Sequence, residues 1–142
     1  MKKITKNNKG FSLIELIIVI AIMAVLVAII APNLTKYLGS SKQKTDKKNA
    51  DEIASQIQTC ITDYETENGY LGDYSLTWTS SGLSAGSKTA FEDIVKSAIT
   101  SATQSKEDSS KYATATITQK DSADASKGYD VTVTLGNVSV KK

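Results

Sequence analysis

Apolar residues are not spread evenly along this chain. They crowd into one run, Phe11–Ala31 (FSLIELIIVIAIMAVLVAIIA), broken only by Ser12 and Glu15. As a helix rising 1.5 Å per residue, the run spans roughly 31 Å, about the hydrocarbon thickness of a bilayer. A polar, basic stretch, MKKITKNNKG, stands before it. A secretory signal peptide shares the basic start and the apolar stretch. This run is long for such a peptide, and it carries a carboxylate near its start. A membrane-spanning helix is therefore the expectation.

Beyond the run, the pattern keeps a helical period. Ile53, Ile57, Cys60, Ile61 and Tyr64 share one stripe, the spacing of an amphipathic helix with a buried face. Asn68-Gly69 supplies a stop, with Gly able to adopt the left-handed capping conformation. Two weak points precede the stripe. Pro32 removes a backbone donor and crowds the Ala28 carbonyl, so it either ends the helix or kinks it, and Gly39-Ser40-Ser41 follows. The expectation is one long helix from about Phe11 to Glu67, interrupted twice.

The remaining residues read as short elements. Tyr74, Leu76 and Trp78 alternate with polar residues as in a strand, and residues 80–88 have loop composition. Thr89-x-x-Glu92 has the spacing of a capping box, opening a helix with Phe91, Ile94, Val95, Ala98 and Ile99 on one face. Tyr112–Thr118 has β character, and Asp121–Gly128 has turn composition. Tyr129, Val131, Val133 and Leu135 alternate cleanly, and after Gly136-Asn137 the parity shifts to Val138 and Val140, which predicts a tight hairpin or a bulge. The fold class is α+β: a long N-terminal helix, half transmembrane and half amphipathic, packed on a small antiparallel sheet. The divisions expected are 1–10, a leader; 11–38, a membrane helix; and 39–142, the amphipathic half with a small globular domain.

Charge narrows the function classes. All 17 basic residues are Lys, with no Arg or His, which removes the bidentate donor favoured for phosphates and bases and the commonest general base. Four of the Lys lie in residues 1–10; without them 13 Lys face 15 acidic residues. The basic character thus belongs to the leader, and no specific nucleic-acid partner is inferred. Along the amphipathic helix, Lys36, Lys42, Lys44, Lys47 and Lys48 come first and Asp51, Glu52, Asp63, Glu65 and Glu67 follow. That order suits a solvated helix surface or staggered parallel packing of copies. Cys60, the single Cys, falls on the apolar stripe and reads as a small buried hydrophobe, with a reactive thiol as the alternative. No catalytic set, metal-ligand cluster or phosphate loop stands out, and neither cofactor nor metal is expected. Asp121 and Asp124 alone fall short of a calcium shell.

Glu15 is the most informative residue. A charge inside a membrane helix is costly and usually marks function. It can snorkel toward headgroups. Alternatively it can pair with a cation from a neighbouring helix: were the chain cut before Phe11, the new α-amine of a copy staggered by about one turn would stand opposite Glu15 and compensate it. The segment Lys9-Gly10-Phe11-Ser12-Leu13-Ile14-Glu15 resembles the signal of type IV prepilins and pseudopilins, and Pro32 matches a proline pilins often carry. That resemblance covers about the first 35 residues. It implies cleavage of the Gly10–Phe11 bond by prepilin peptidase, N-methylation of Phe11, and a registry role for Glu15 in assembly.

It further implies a structural subunit, not an enzyme. Such a subunit is held in membrane lipid with its N-terminus cytoplasmic, then polymerised by inner-membrane assembly machinery into a helical homopolymer on the cell surface. A major pilin is the first expectation and a pseudopilin of a secretion or competence DNA-uptake system the second. A membrane-anchored binding module that never polymerises is a distant third, since it leaves Gly10, Phe11, Glu15 and Pro32 unexplained as a set.

Overall fold

The computed structural model describes residues 10–84, 86–100 and 103–142; the basic leader, residues 1–9, lies outside them. Helix α1 (Leu13–Asn68) is followed by β1 (Tyr74–Thr79), β2 (Gly82–Leu83), α2 (Thr89–Ala98), β3 (Thr114–Gln119), a 3-10 turn (Ala125–Lys127), β4 (Tyr129–Leu135) and β5 (Val138–Lys141). The chain divides into two compact units, Met1–Leu38 and Gly39–Lys142.

In the first unit, α1 carries the bilayer-length apolar run, and every residue from Gly10 to Leu38 is exposed. The two expected interruptions are not found as breaks: α1 is helical through Pro32 and through Gly39-Ser40-Ser41. Two side chains bond back to the helix around the proline. The Thr35 hydroxyl donates to the Ala31 carbonyl at 3.0 Å, and the Asn33 amide reaches the Ile29 carbonyl at 3.5 Å. Neither bond reaches the Ala28 carbonyl, whose helical donor the proline removes; bonds of this kind to carbonyls one turn back tend to bend a helix.

In the second unit, α1 packs its stripe against a five-stranded antiparallel sheet of order β2-β1-β3-β4-β5. Ala50, Ile53, Ala54, Ile57, Cys60 and Ile61 are buried, so the periodicity read from the sequence is the packing face. Cys60 sits inside it, and burial, with the Asp63 charge adding, pushes its thiol up. It serves as a small hydrophobe.

The sheet answers with alternate residues. Leu76, Ala115 and Val133 stand side by side across β1, β3 and β4, with Ile117 and Val131 in the neighbouring row. Small residues in the centre, Ala113 and Ala115, leave room for the isoleucines of α1. The opposite face carries Thr and Ser, such as Ser75, Thr116 and Thr132. Gly136-Asn137 forms the tight β4–β5 hairpin with Leu135 opposite Val138, which accounts for the parity shift. Gly136 has φ +64°, a conformation that glycine adopts without strain.

Two expectations need correction. The stretch 80–88 is not all loop: Gly82–Leu83 pairs with β1, a strand too short for periodicity to reveal. The capping box at Thr89 does not form. Helix α2 begins with Thr89 as its first helical residue, after Lys88, and no side chain caps it. Glu92 is buried instead, drawn inward by the Tyr74 hydroxyl.

Candidate functional site

Gly10 and Phe11 precede α1, and Phe11 is 90% exposed. The Glu15 carboxylate accepts a hydrogen bond from the Ser12 backbone N–H at 2.8 Å. Ser12-x-x-Glu15 therefore acts as half of a capping box, with Glu15 returning to the amide just before the first helical residue. The signal was present in the sequence as a Ser three residues before a Glu at the edge of an apolar run. It explains how the uncut chain tolerates this carboxylate: one oxygen is satisfied locally, and the charge sits at the positive end of the helix dipole. The arrangement also leaves Glu15 within one turn of the N-terminus that cleavage at Gly10 would create.

The side chains of the run, from Leu13 through Leu38, are about half exposed or more, and none is covered by the chain. A contiguous apolar surface of this size marks contact with lipid or protein.

The second unit holds three polar locks that the sequence did not single out. Asp46, fully buried on α1, accepts from the Ser105 hydroxyl at 2.6 Å, the Lys106 amide at 2.7 Å and the Glu107 amide at 3.1 Å. Burial pushes its pKa up, but these three donors outweigh it and hold the carboxyl below its ordinary range. Asp46 thereby ties α1 to the segment before β3.

At the end of α1, Gly69 takes φ +77°, and the Tyr129 hydroxyl donates to Glu65 while accepting the Leu71 amide at 3.0 Å. Burial, with Glu65 adding, raises the Tyr129 phenol above its usual value. The third lock joins Tyr74, Glu92 and Gly86. The Tyr74 hydroxyl first, then the Gly86 amide, hold the Glu92 carboxyl below its ordinary range against the opposing effect of burial. Oε2 of Glu92 has no hydrogen-bond partner among the described residues.

These locks build the domain and offer no reaction centre. Among the described residues, no group of three or more His, Cys, Asp or Glu side chains could hold a metal ion. Asp121 is bridged by Lys127 at 2.5 Å, and Asp124 accepts from Ser126.

An apolar N-terminal helix led by Gly-Phe and a Glu, with a small antiparallel sheet after it, is a type IV pilin-like arrangement. The comparisons agree. Residues 5–31 match the family described as "Prokaryotic N-terminal methylation motif". "Prepilin peptidase-dependent protein A" of Clostridium perfringens is 42% identical over 60 residues, 41% of this chain and 43% of that protein. "Type IV major fimbrial protein FimA" of Dichelobacter nodosus is 35% identical over 83 residues, 58% of this chain and 51% of that protein. A "ComG operon protein 3 homolog" of Bacillus licheniformis is 34% identical over 62 residues, 44% of this chain and 60% of that protein. The chain thus spans about half the length of the curated relatives it matches. No solved structure matches it.

Proposed function

We propose that this chain is the major structural subunit of a type IV pilus. Prepilin peptidase cuts it after Gly10 and methylates the new N-terminus at Phe11. Before assembly the helix of residues 11–38 is held in membrane lipid with its N-terminus cytoplasmic; pilus assembly machinery then transfers it into a helical homopolymer outside the cell. The observation that carries this reading is the exposed apolar helix segment beginning beside Gly10, Phe11 and Glu15. Polymerisation would cover that surface.

Glu15 is the registry residue: on cleavage its carboxylate exchanges the Ser12 amide for the α-amine of Phe11 on a neighbouring copy. Pro32 is a point where the helix can loosen under load, since one backbone bond is already missing. Mass spectrometry of the filaments sheared from the cell surface tests the proposal. A mature chain starting at N-methyl-Phe11 supports it. An assembled chain still starting at Met1 would overturn it.

A second reading is a competence pseudopilin, favoured by relatives named "ComG operon protein 3 homolog" and "Competence protein ComGC". Both readings share the processing, so the sheared fraction separates them by quantity. Abundant long fibres made of this chain identify a pilin. Short, sparse fibres with loss of DNA uptake on deletion identify a pseudopilin.

A further inference from the structure

Several charges in the second unit are neutralised within the chain. Lys96, Lys111, Lys127, Lys141 and Lys142 each bridge an Asp. Lys44 and Lys48 on α1 are exposed and have no salt bridge among the described residues, and the same holds for Asp63 and Glu67 further along that helix. Each pair is spaced by four residues, so each forms a row of like charge on one side of the helix. Like charges at this spacing repel and destabilise a helix. Among the described residues no salt bridge relieves either row. Glu52, one turn beyond Lys48, is not bridged to it.

The two rows match each other. Lys44 to Asp63 and Lys48 to Glu67 are the same 19 residues apart, about 28 Å along a helix. A parallel copy shifted by that distance places each Lys opposite a carboxylate. We infer that the Lys44/Lys48 row of one copy docks on the Asp63/Glu67 row of a second copy. The contact is heterologous, joining different faces of the two copies, so it repeats without closing. It rests on the filament reading above and adds a register to it. Exposed ion pairs contribute little cohesion; what the two rows supply is a preference for this stagger, in which both Lys of the row meet a carboxylate.

An anionic lipid surface is the other partner a Lys row could serve. Lys44 and Lys48 lie more than a dozen residues past Ala31, where the apolar run ends. That is about 20 Å or more along a helix and beyond the headgroup layer.

The test uses the full chain expressed with its peptidase and assembly machinery. Two charge-reversal variants, Lys44→Glu with Lys48→Glu and Asp63→Lys with Glu67→Lys, are each expected to lower sheared-filament yield about tenfold, with cleavage at Gly10 unchanged. The fourfold exchange is expected to return yield to within about threefold of wild type. In an otherwise unchanged chain, Lys48→Cys with Glu67→Cys is expected to give an oxidised ladder of cross-linked subunits in filaments. Full assembly of both reversed variants, no recovery in the fourfold exchange, or no ladder would each overturn the docking. So would a yield defect that tracks weakened binding of the Lys variant to anionic vesicles. If the wild-type chain itself yields no filaments starting at Phe11, the pilin reading fails instead.

Discussion

At the scale of single residues, two carboxylates carry most of the argument, and their environments are opposite. Glu15 lies on an exposed apolar helix with one local donor. Glu15→Ala removes a charge that insertion must carry, so membrane insertion is expected to be intact or improved. The registry role predicts that filament yield nonetheless falls to background, while Glu15→Asp retains part of it; normal filaments from Glu15→Ala would sink that role. Asp46 is buried beneath three donors. Asp46→Ala strands them and is expected to cost about 2–4 kcal/mol of unfolding free energy, measured by urea titration in detergent. Because the folded Asp46 carboxyl titrates below its ordinary value, the unfolded chain takes up the proton first as pH falls. Its stabilisation is therefore full above about pH 4, the unfolded value, and is lost as pH drops through the lower folded value. Asp46→Asn should show a flatter acid limb than wild type. An equally steep limb would remove Asp46 as its cause.

At the scale of elements, the β2–α2 connection shows where tertiary contacts overrule local signals. A Cβ on Gly86 would run into Oε1 of Glu92 and the Tyr74 hydroxyl, so both side-chain ends would have to shift to admit it. Gly86→Ala is expected to cost about 1–3 kcal/mol, read as a lowered urea midpoint. An unchanged midpoint would mean that the loop moves freely. The same region was hard to read in the sequence. Thr89-x-x-Glu92 is a sound capping signal by spacing, yet Glu92 is engaged from the other side by a residue of β1, eighteen positions away. The stripe Ile53–Tyr64 was legible because one periodic face meets one sheet, and so was the β4–β5 hairpin, whose turn residues determine its register. Asp46 was illegible because its partners, Ser105 to Glu107, come from a segment with no periodic pattern. For Glu15, position in the run was informative, while its pairing with Ser12 required the helix start to be located.

At the scale of the whole molecule, the residues that fold the chain and those proposed to assemble it are separate sets. Among the described residues, every buried apolar one lies between Ala50 and Leu135, and residues 11–38 contribute none. A chain of residues 39–142 therefore loses no core and should unfold cooperatively in urea with the same midpoint as the full chain in detergent. With the apolar surface removed, only the charge rows remain for self-association. Exposed pairs of that kind give at most about 1 kcal/mol each, far short of what association costs in lost freedom. The truncated chain should accordingly be monomeric by light scattering at micromolar concentration. Stable oligomers would place the main assembly surface on the domain. An unfolded product would show that residues before Gly39 are needed to fold it. A folded monomer would instead assign cohesion to the apolar helix and register to the charges, a division that lets the domain vary its outer face without disturbing the polymer.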